Sequence, residues 1–126
     1  MRKQLLMLAL CLCAFLLPQA LSAQEAWGEI RAEPNPCRIR PGKEECTTHV
    51  TWRTRGVERA KVFVTSRGRR EEKELEFGDG RTCEGDRCRA GWIRPETTYT
   101  FQLFDFTRGD RGRLLASVTV TGERER

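Results

Sequence analysis

Residues capable of covalent chemistry are scarce in this chain. It contains a single histidine, His49, and the alternation in the segment TTHVTWRT places this side chain on the outward face of a strand, beside charged neighbours. An active site needs a base, a nucleophile or a metal held in a preorganised pocket. The acidic residues lie in mixed-charge runs that single out no catalytic pair. We therefore predict that the protein is not an enzyme.

The segment FDFTRGDRGRLLASV offers recognition chemistry instead. It contains Arg108-Gly109-Asp110, a tripeptide that acts as a cell-adhesion ligand in some extracellular modules. Gly and Asp also suit a solvated turn, and the repeated composition of Arg111-Gly112-Arg113 favours that plainer interpretation. Arginine presents a fork of donors that matches carboxylates and phosphates. Our candidate binding residues are Arg108, Asp110, Arg111 and Arg113.

Four cysteines follow the N-terminal segment: Cys37, Cys46, Cys83 and Cys88. An even number in a small exported chain predicts disulfides, because compartments outside the cytosol are oxidising. Four cysteines allow three pairings. Each close pair encloses a turn-rich loop, CRIRPGKEEC or CEGDRC, which favours Cys37–Cys46 and Cys83–Cys88. A zinc site is disfavoured, since eight residues separate the first pair instead of the usual two to four.

The loop GDGRTCEGD contains three carboxylates, Asp79, Glu84 and Asp86. Hard oxygen ligands from one loop could hold Ca²⁺, but the spacing matches no EF-hand and Gly-Asp-Gly is common in turns. No glycine-rich phosphate loop precedes a helix. We predict neither a metal site nor a cofactor.

The first 23 residues have the pattern of a signal peptide. Arg2 and Lys3 are the positive start, an apolar run covers residues 5–17, and small residues follow. We place cleavage after Ala23, with Ser22 as the alternative. The apolar run is shorter than the roughly 20 residues that a membrane-spanning helix needs, so we do not expect it to serve as a membrane anchor. The mature chain, residues 24–126, is predicted to have no transmembrane segment.

Lipid anchoring through Cys11 or Cys13 is disfavoured, because both follow Leu, where that processing requires a small residue. Without Arg2 and Lys3 the basic count falls from 23 to 21 against 18 acids, and the net charge from +5 to +3. Positive and negative residues alternate along the chain, whereas a nucleic-acid binder usually gathers basic residues into one patch. We predict one domain, and no nucleic-acid partner.

From Ile30 onward, turn signals separate short strands at intervals of about 8–12 residues, the spacing of an all-β sandwich. Seven strands are predicted, around AWGEIRAEP, TTHVTWRT, RAKVFVTS, EKELEF, RAGWI, TTYTFQLFDF and LLASVTVTG. Alternation predicts a buried face with Val50 and Trp52 in TTHVTWRT, with Ala60, Val62 and Val64 in RAKVFVTS, and with Leu75 and Phe77 in EKELEF. No helical period of useful length follows the signal segment. Seven strands in about 100 residues fit two packed antiparallel sheets.

The segments HVTWRT, AKVFVTS and WIRPETTYTFQLFDF resemble a fibronectin type III or immunoglobulin-like domain of exported bacterial proteins. Trp52 matches a tryptophan in the second strand of type III domains, and Ile93, Pro95 and Tyr99 match the corner between the fifth and sixth strands. The resemblance covers roughly residues 33–122. It implies a single sandwich of about seven antiparallel strands, in which the Tyr99 hydroxyl bonds back to the chain.

The resemblance places residues 108–113 between the sixth and seventh strands, the loop in which an adhesive type III domain carries its own Arg-Gly-Asp. We predict an exported protein, periplasmic or secreted, that binds a protein, glycan or envelope polymer through this loop or the Cys83–Cys88 loop. One alternative is a structural subunit of an envelope assembly that pairs through an edge strand. Another is an enzyme inhibitor that inserts the disulfide-fixed loop CEGDRC into its target.

Overall fold

The computed structural model describes residues 25–68 and 72–126, so the predicted signal segment, 1–23, lies outside the described residues. The described chain is all-β, with nine strands and a 3-10 helix at Gly85–Cys88. The strands are β1 (Trp27–Glu33), β2 (Cys37–Ile39), β3 (Cys46–Arg55), β4 (Ala60–Arg67), β5 (Lys73–Asp79), β6 (Thr82–Cys83), β7 (Arg89–Ile93), β8 (Thr98–Asp105) and β9 (Leu114–Arg124). None of the described residues belongs to a helix long and apolar enough to cross a membrane.

The strands form two sheets. In the four-stranded sheet, β3 pairs antiparallel with β1 on one side and with β6 and β7 on the other. The five-stranded sheet has the order β2-β9-β8-β4-β5. All its pairs are antiparallel except β2 with β9, which run parallel.

The nine strands exceed the seven that we predicted because the structure adds two short ones. Pro34-Asn35-Pro36 ends β1, since proline has no N–H for a ladder. The chain then crosses to the other sheet, where β2 pairs with β9. Residues 85–88 form the 3-10 turn beside β3. β6 pairs with β3 before this turn, and β7 pairs with β3 after it.

A single hydrophobic core lies between the sheets and takes side chains from both. The predicted alternation of β3 and β4 is confirmed. Val50 and Trp52 are buried in β3, as is Val62 in β4, while Arg53 is exposed. In β5 the alternation misleads, because Leu75 is 64% exposed despite its apolar side chain. Burial in β5 therefore depends on what the opposite sheet covers as well as on sequence pattern.

Trp52 connects the two sheets. Its indole Nε1–H donates to the Gly80 carbonyl at 3.0 Å, and its ring meets Phe77 edge-on with centroids 6.1 Å apart. A Cβ at Gly78 would come within 3.0 Å of the Trp52 ring, so no larger residue fits there without displacing the indole. The loop after β5 is thereby fixed against β3.

The Tyr99 hydroxyl closes the connection between β7 and β8. It accepts a hydrogen bond from the Arg94 N–H at 3.1 Å and donates to the Trp92 carbonyl at 3.5 Å. The hydroxyl therefore bonds back to the chain, as the resemblance implied. The Trp92 and Tyr99 rings also pack edge-on, 5.2 Å apart.

The structure joins the four cysteines in the favoured pairing, Cys37–Cys46 and Cys83–Cys88. The first disulfide does more than pin a local loop, although the ring that it closes is short. Cys37 lies in β2 of the five-stranded sheet and Cys46 in β3 of the four-stranded sheet. It therefore joins the two sheets covalently.

Candidate functional site

The loop between β8 and β9, residues 106–113, contains all four predicted binding residues. Its base continues the ladder, because the Asp105 N–H donates to the Arg113 carbonyl at 2.9 Å and the Gly112 N–H donates to the Asp105 carbonyl at 2.8 Å. A Cβ at Gly112 would stand 2.8 Å from that carbonyl oxygen, too close for any other residue without a shift. The loop is thus closed by its own backbone.

Side chains and a neighbouring loop fix the conformation further. The Asp105 carboxylate accepts from the N–H and the hydroxyl of Thr107, at 2.9 and 2.6 Å. The Thr107 hydroxyl also accepts from the Glu58 N–H at 3.1 Å, and the Phe106 N–H donates to the Arg59 carbonyl at 2.8 Å. Residues 56–59, between β3 and β4, therefore support residues 106–107.

The tip is a tight turn around Gly109. The Gly109 N–H donates to the Phe106 carbonyl at 2.9 Å, and Gly109 has a φ of +88°, a left-handed conformation that glycine adopts without strain. Arg108 and Asp110 flank it, and both are exposed. The backbone thus turns sharply between the cation and the anion of the tripeptide.

Arg111 differs from its neighbours in the loop. Its guanidinium lies over the rings of Phe63 and Phe104, 4.2 and 4.7 Å from their centroids. Its two terminal nitrogens contact the two Glu74 oxygens, at 2.5 and 3.3 Å. Arg111 thus crosses from the loop over β8 and β4 to β5. Its donors are engaged by the protein itself, so among the predicted binding residues it holds the loop in place.

Arg111 belongs to a set of ion pairs on the outer face of the five-stranded sheet. Lys61 contacts Glu76 at 2.8 Å, and Arg67 lies 3.9 Å from Glu72. Each of these cations meets a glutamate from β5 or the residue before it. Beneath Lys61 and Arg111, three outward-facing aromatic side chains pack together: Phe63, Phe104 and Phe106.

The other predicted binding residues, Arg108, Asp110 and Arg113, are exposed. Within residues 25–68 and 72–126, none of their side chains has an ion pair or a hydrogen bond. The structure therefore brings the four residues together in one loop but divides their contacts. Three point functional groups at solvent, and Arg111 is bound to the sheet.

The second candidate loop is compact. Residues 85–88 of the Cys83–Cys88 loop form a 3-10 turn against β3, and Cys88 is fully buried. Beside it lies an open depression of about 510 Å³ whose lining includes Asp79, Glu84 and Arg87. Among the described residues, no three His, Cys, Asp or Glu side chains come close enough to hold a metal ion.

His49 lies on the outer face of the four-stranded sheet, where it faces Glu33 of β1 and Arg89 of β7 in the pairing register. It is half-buried. No cysteine thiol is available beside it, since all four described cysteines are in disulfides. The arrangement is that of a strand residue between two charged neighbours.

Sequence reasoning missed an exposed aromatic site on the same face. Trp27 is 40% exposed, and the guanidiniums of Arg55 and Arg53 lie 5.1 and 5.9 Å from its ring centroid. Arg53 is also paired with Glu29. The signal was the alternation of WGEIRAE, which puts Trp27, Glu29 and Arg31 on one side of β1.

Comparison with known proteins found no family model, no curated protein and no solved structure that matches this chain.

Proposed function

We propose that this protein is an exported, non-catalytic binding module and that the loop 106–113 is its recognition element. The observation that carries the proposal is the contrast between arginines within this loop. Arg111 ties the loop to the sheet, while the side chains of Arg108 and Arg113 have no partner among the described residues. A loop held in one conformation loses little entropy on binding, which favours affinity.

We further propose an immunoglobulin-like or fibronectin type III-like sandwich as the scaffold. Three observations support it. Trp52 lies in the core on β3, the Tyr99 hydroxyl bonds back across the connection before β8, and the chain divides into two sheets around one core. In such folds, loops at one end of the sandwich commonly carry recognition.

Export is part of the proposal. The two disulfides support an oxidising compartment, the periplasm or the exterior. The signal-peptide pattern of residues 1–23 supports the same location. Cys37–Cys46 joins the two sheets, so the stability of the scaffold depends on oxidation outside the cytosol.

The ligand we propose for the loop is a protein or glycan that carries carboxylates. Arg108 and Arg113 supply forked donors for such groups. Asp110 between them supplies an acceptor, and its negative charge repels a ligand surface that carries only anions.

A structural role in an assembly is the second candidate, and β5 is the observation in its favour. β5 is the last strand of its sheet, so one edge has no strand partner among the described residues. Its Leu75 is 64% exposed. An extended segment of another protein could add to such an edge. The third alternative, enzyme inhibition, has less support because the Cys83–Cys88 loop is a compact turn.

A capture experiment tests the loop. The purified, oxidised protein is immobilised and incubated with a cell-envelope extract, beside the variants Arg108→Ala, Asp110→Ala and Arg40→Ala. Arg40 is an exposed arginine in the turn after β2, so its loss matches the charge change of Arg108→Ala away from the loop. We expect wild type and Arg40→Ala to retain the same ligand, and the two loop variants to lose it.

Equal capture by all four baits would refute the loop as the recognition element. Equal loss with Arg40→Ala and Arg108→Ala would show that net charge alone attracts the ligand. If the extract contains a large complex that retains the protein but releases it on Leu75→Lys, the assembly role replaces the loop proposal.

A further inference from the structure

The outer face of the four-stranded sheet carries cations that its own acids do not neutralise. Arg31 lies on β1, Arg55 on β3 and Arg89 on β7, all exposed. Among the described residues, none of the three has a carboxylate within 4.0 Å. Arg53 on this face is paired with Glu29. The face therefore presents guanidinium donors that an external anion could bind.

An aromatic surface lies beside these donors. Trp27 pairs with Arg55 in the β1–β3 register and leaves 40% of its area exposed. The Arg55 guanidinium is 5.1 Å from the ring centroid, which holds the long arginine side chain against the indole. An exposed flat ring next to a fixed guanidinium can contact the apolar side of a ligand ring while the arginine binds its anionic group.

A shallow depression lies next to this pair. It has a volume of about 240 Å³ and is lined by Glu29, Arg31, Thr51, Trp52, Arg53 and Glu84. This is smaller than the roughly 300–1,000 Å³ typical of small-molecule pockets. It suits one unit of an extended chain that lies along the face. Its lining mixes hydrogen-bond donors and acceptors, as recognition of several hydroxyl groups requires.

We infer that this face binds an acidic polysaccharide, with Trp27 against a sugar ring and Arg55 and Arg31 on its carboxylates. The hydroxyl groups of the same chain bind to Thr51 and Glu84 in the depression. This second site lies outside the loop 106–113 and does not depend on the proposed function of that loop.

The acidic residues on this face favour a polysaccharide over a polymer with a phosphate on every unit. Glu29, Glu33 and Glu84 lie among the arginines, and a backbone with a phosphate on every unit would meet repulsion from them. A single exposed indole also differs from the repeated aromatic platforms that single-stranded nucleic acids use. A sugar chain spaces its carboxylates between neutral hydroxyl groups, so it tolerates this mixture.

Binding of hyaluronate oligomers, which carry a carboxylate on every second sugar, to the purified, oxidised protein, measured by titration calorimetry at low salt, tests the inference. The fully methyl-esterified oligomer is the matched ligand control, since it keeps the sugar rings and loses the charge. Single-stranded DNA and inorganic polyphosphate complete the set. The variants are Trp27→Ala, Arg55→Gln and Arg31→Gln. Arg67→Gln is the protein control, because it removes one exposed positive charge from the opposite outer face.

We expect the acidic oligomer to bind, the ester not to bind, and Trp27→Ala and Arg55→Gln each to weaken binding about tenfold, with a smaller loss for Arg31→Gln. Arg67→Gln should leave binding unchanged. Because Arg55→Gln removes no buried group, it keeps the test decisive even if Trp27→Ala destabilises the fold. The inference is overturned if Arg67→Gln weakens binding as much as Arg55→Gln, if the ester binds equally, if only DNA or polyphosphate binds, or if nothing does.

Discussion

The outer faces of the two sheets use the same side chains in opposite ways. On the five-stranded sheet, Lys61 and Arg111 are each bound to a glutamate of β5, and Arg111 covers the rings of Phe63 and Phe104. On the four-stranded sheet, Arg31 and Arg55 have no acidic partner among the described residues, and Trp27 stays exposed. Arg111 stabilises the fold on the first face, whereas Arg31 and Arg55 remain available to a ligand on the second.

The difference follows from what lies above each sheet. The loop 106–113 folds back over β8 and β4 and places Arg111 against Phe63 and Phe104. No segment among the described residues covers β1 and β3 in the same way, so their outward side chains meet solvent. Covered cations become structural because contact with rings and carboxylates fixes them. Uncovered cations can exchange solvent for a ligand.

The largest expected effect separates the aromatic residues of the two faces. Phe104 is 9% exposed although it faces outward, whereas Trp27 is 40% exposed. We expect Phe104→Ala to lower the free energy of unfolding by about 3 kcal/mol, because it leaves a cavity beneath Arg111. Trp27→Ala should cost less, about 1–2 kcal/mol, because much of its ring is already in contact with water. Urea denaturation of the oxidised protein measures both free energies of unfolding. An equal decrease for the two variants would contradict the proposed difference between the faces.

Arginine substitutions give the next largest difference. Arg111→Gln removes the ion pair with Glu74 and the contacts with two rings, so we expect a loss of about 1–2 kcal/mol in unfolding free energy. Arg55→Gln should stay within about 0.5 kcal/mol, as is usual for exposed sites. Urea denaturation is again the measurement. If Arg55→Gln destabilised as much as Arg111→Gln, the cations of both faces would be structural.

The sequence predicted the strands and the pairing of the cysteines more successfully than the roles of individual arginines. Alternation identified the buried sides of β3 and β4, because a strand has a period of two residues. It could not predict that Arg108 faces solvent while Arg111 is bound to the sheet, since both lie in one loop of repeated composition. Their difference depends on Glu74, 37 residues from Arg111, and on the path of the loop over the sheet.

The exposed site on β1 and β3 was missed for a related reason. Trp27 and Arg55 are neighbours only through the antiparallel register of β1 and β3, which aligns residues 28 positions apart. Leu75 shows the converse. The pattern of β5 predicted a buried side chain, but Leu75 is 64% exposed although its register partner Val64 is buried. Local pattern indicates which way a side chain points, and only the tertiary fold determines what it meets.

A double-mutant cycle isolates the pair that fixes the loop. Glu74→Gln, Arg111→Gln and the double variant should give a coupling free energy of about 0.5–1 kcal/mol, because both side chains are about 40% exposed and solvent screens the pair. The remaining effect of Arg111→Gln is attributed to Phe63 and Phe104. Zero coupling would mean that stacking alone holds the loop.

The smallest expected effect concerns Arg67, on the same outer face as Arg111 but away from the aromatic rings. Arg67 and Glu72 are 3.9 Å apart, and their side chains are 79% and 57% exposed. We expect Arg67→Gln to change the free energy of unfolding by less than about 0.5 kcal/mol, because solvent screens such a pair. Urea denaturation at low and high salt measures it. A loss comparable to that of Arg111→Gln would mean that ion pairing stabilises this face even without rings beneath it. A negligible change would instead restrict the structural role to cations that cover aromatic side chains, and ion pairing alone would then not distinguish the two outer faces.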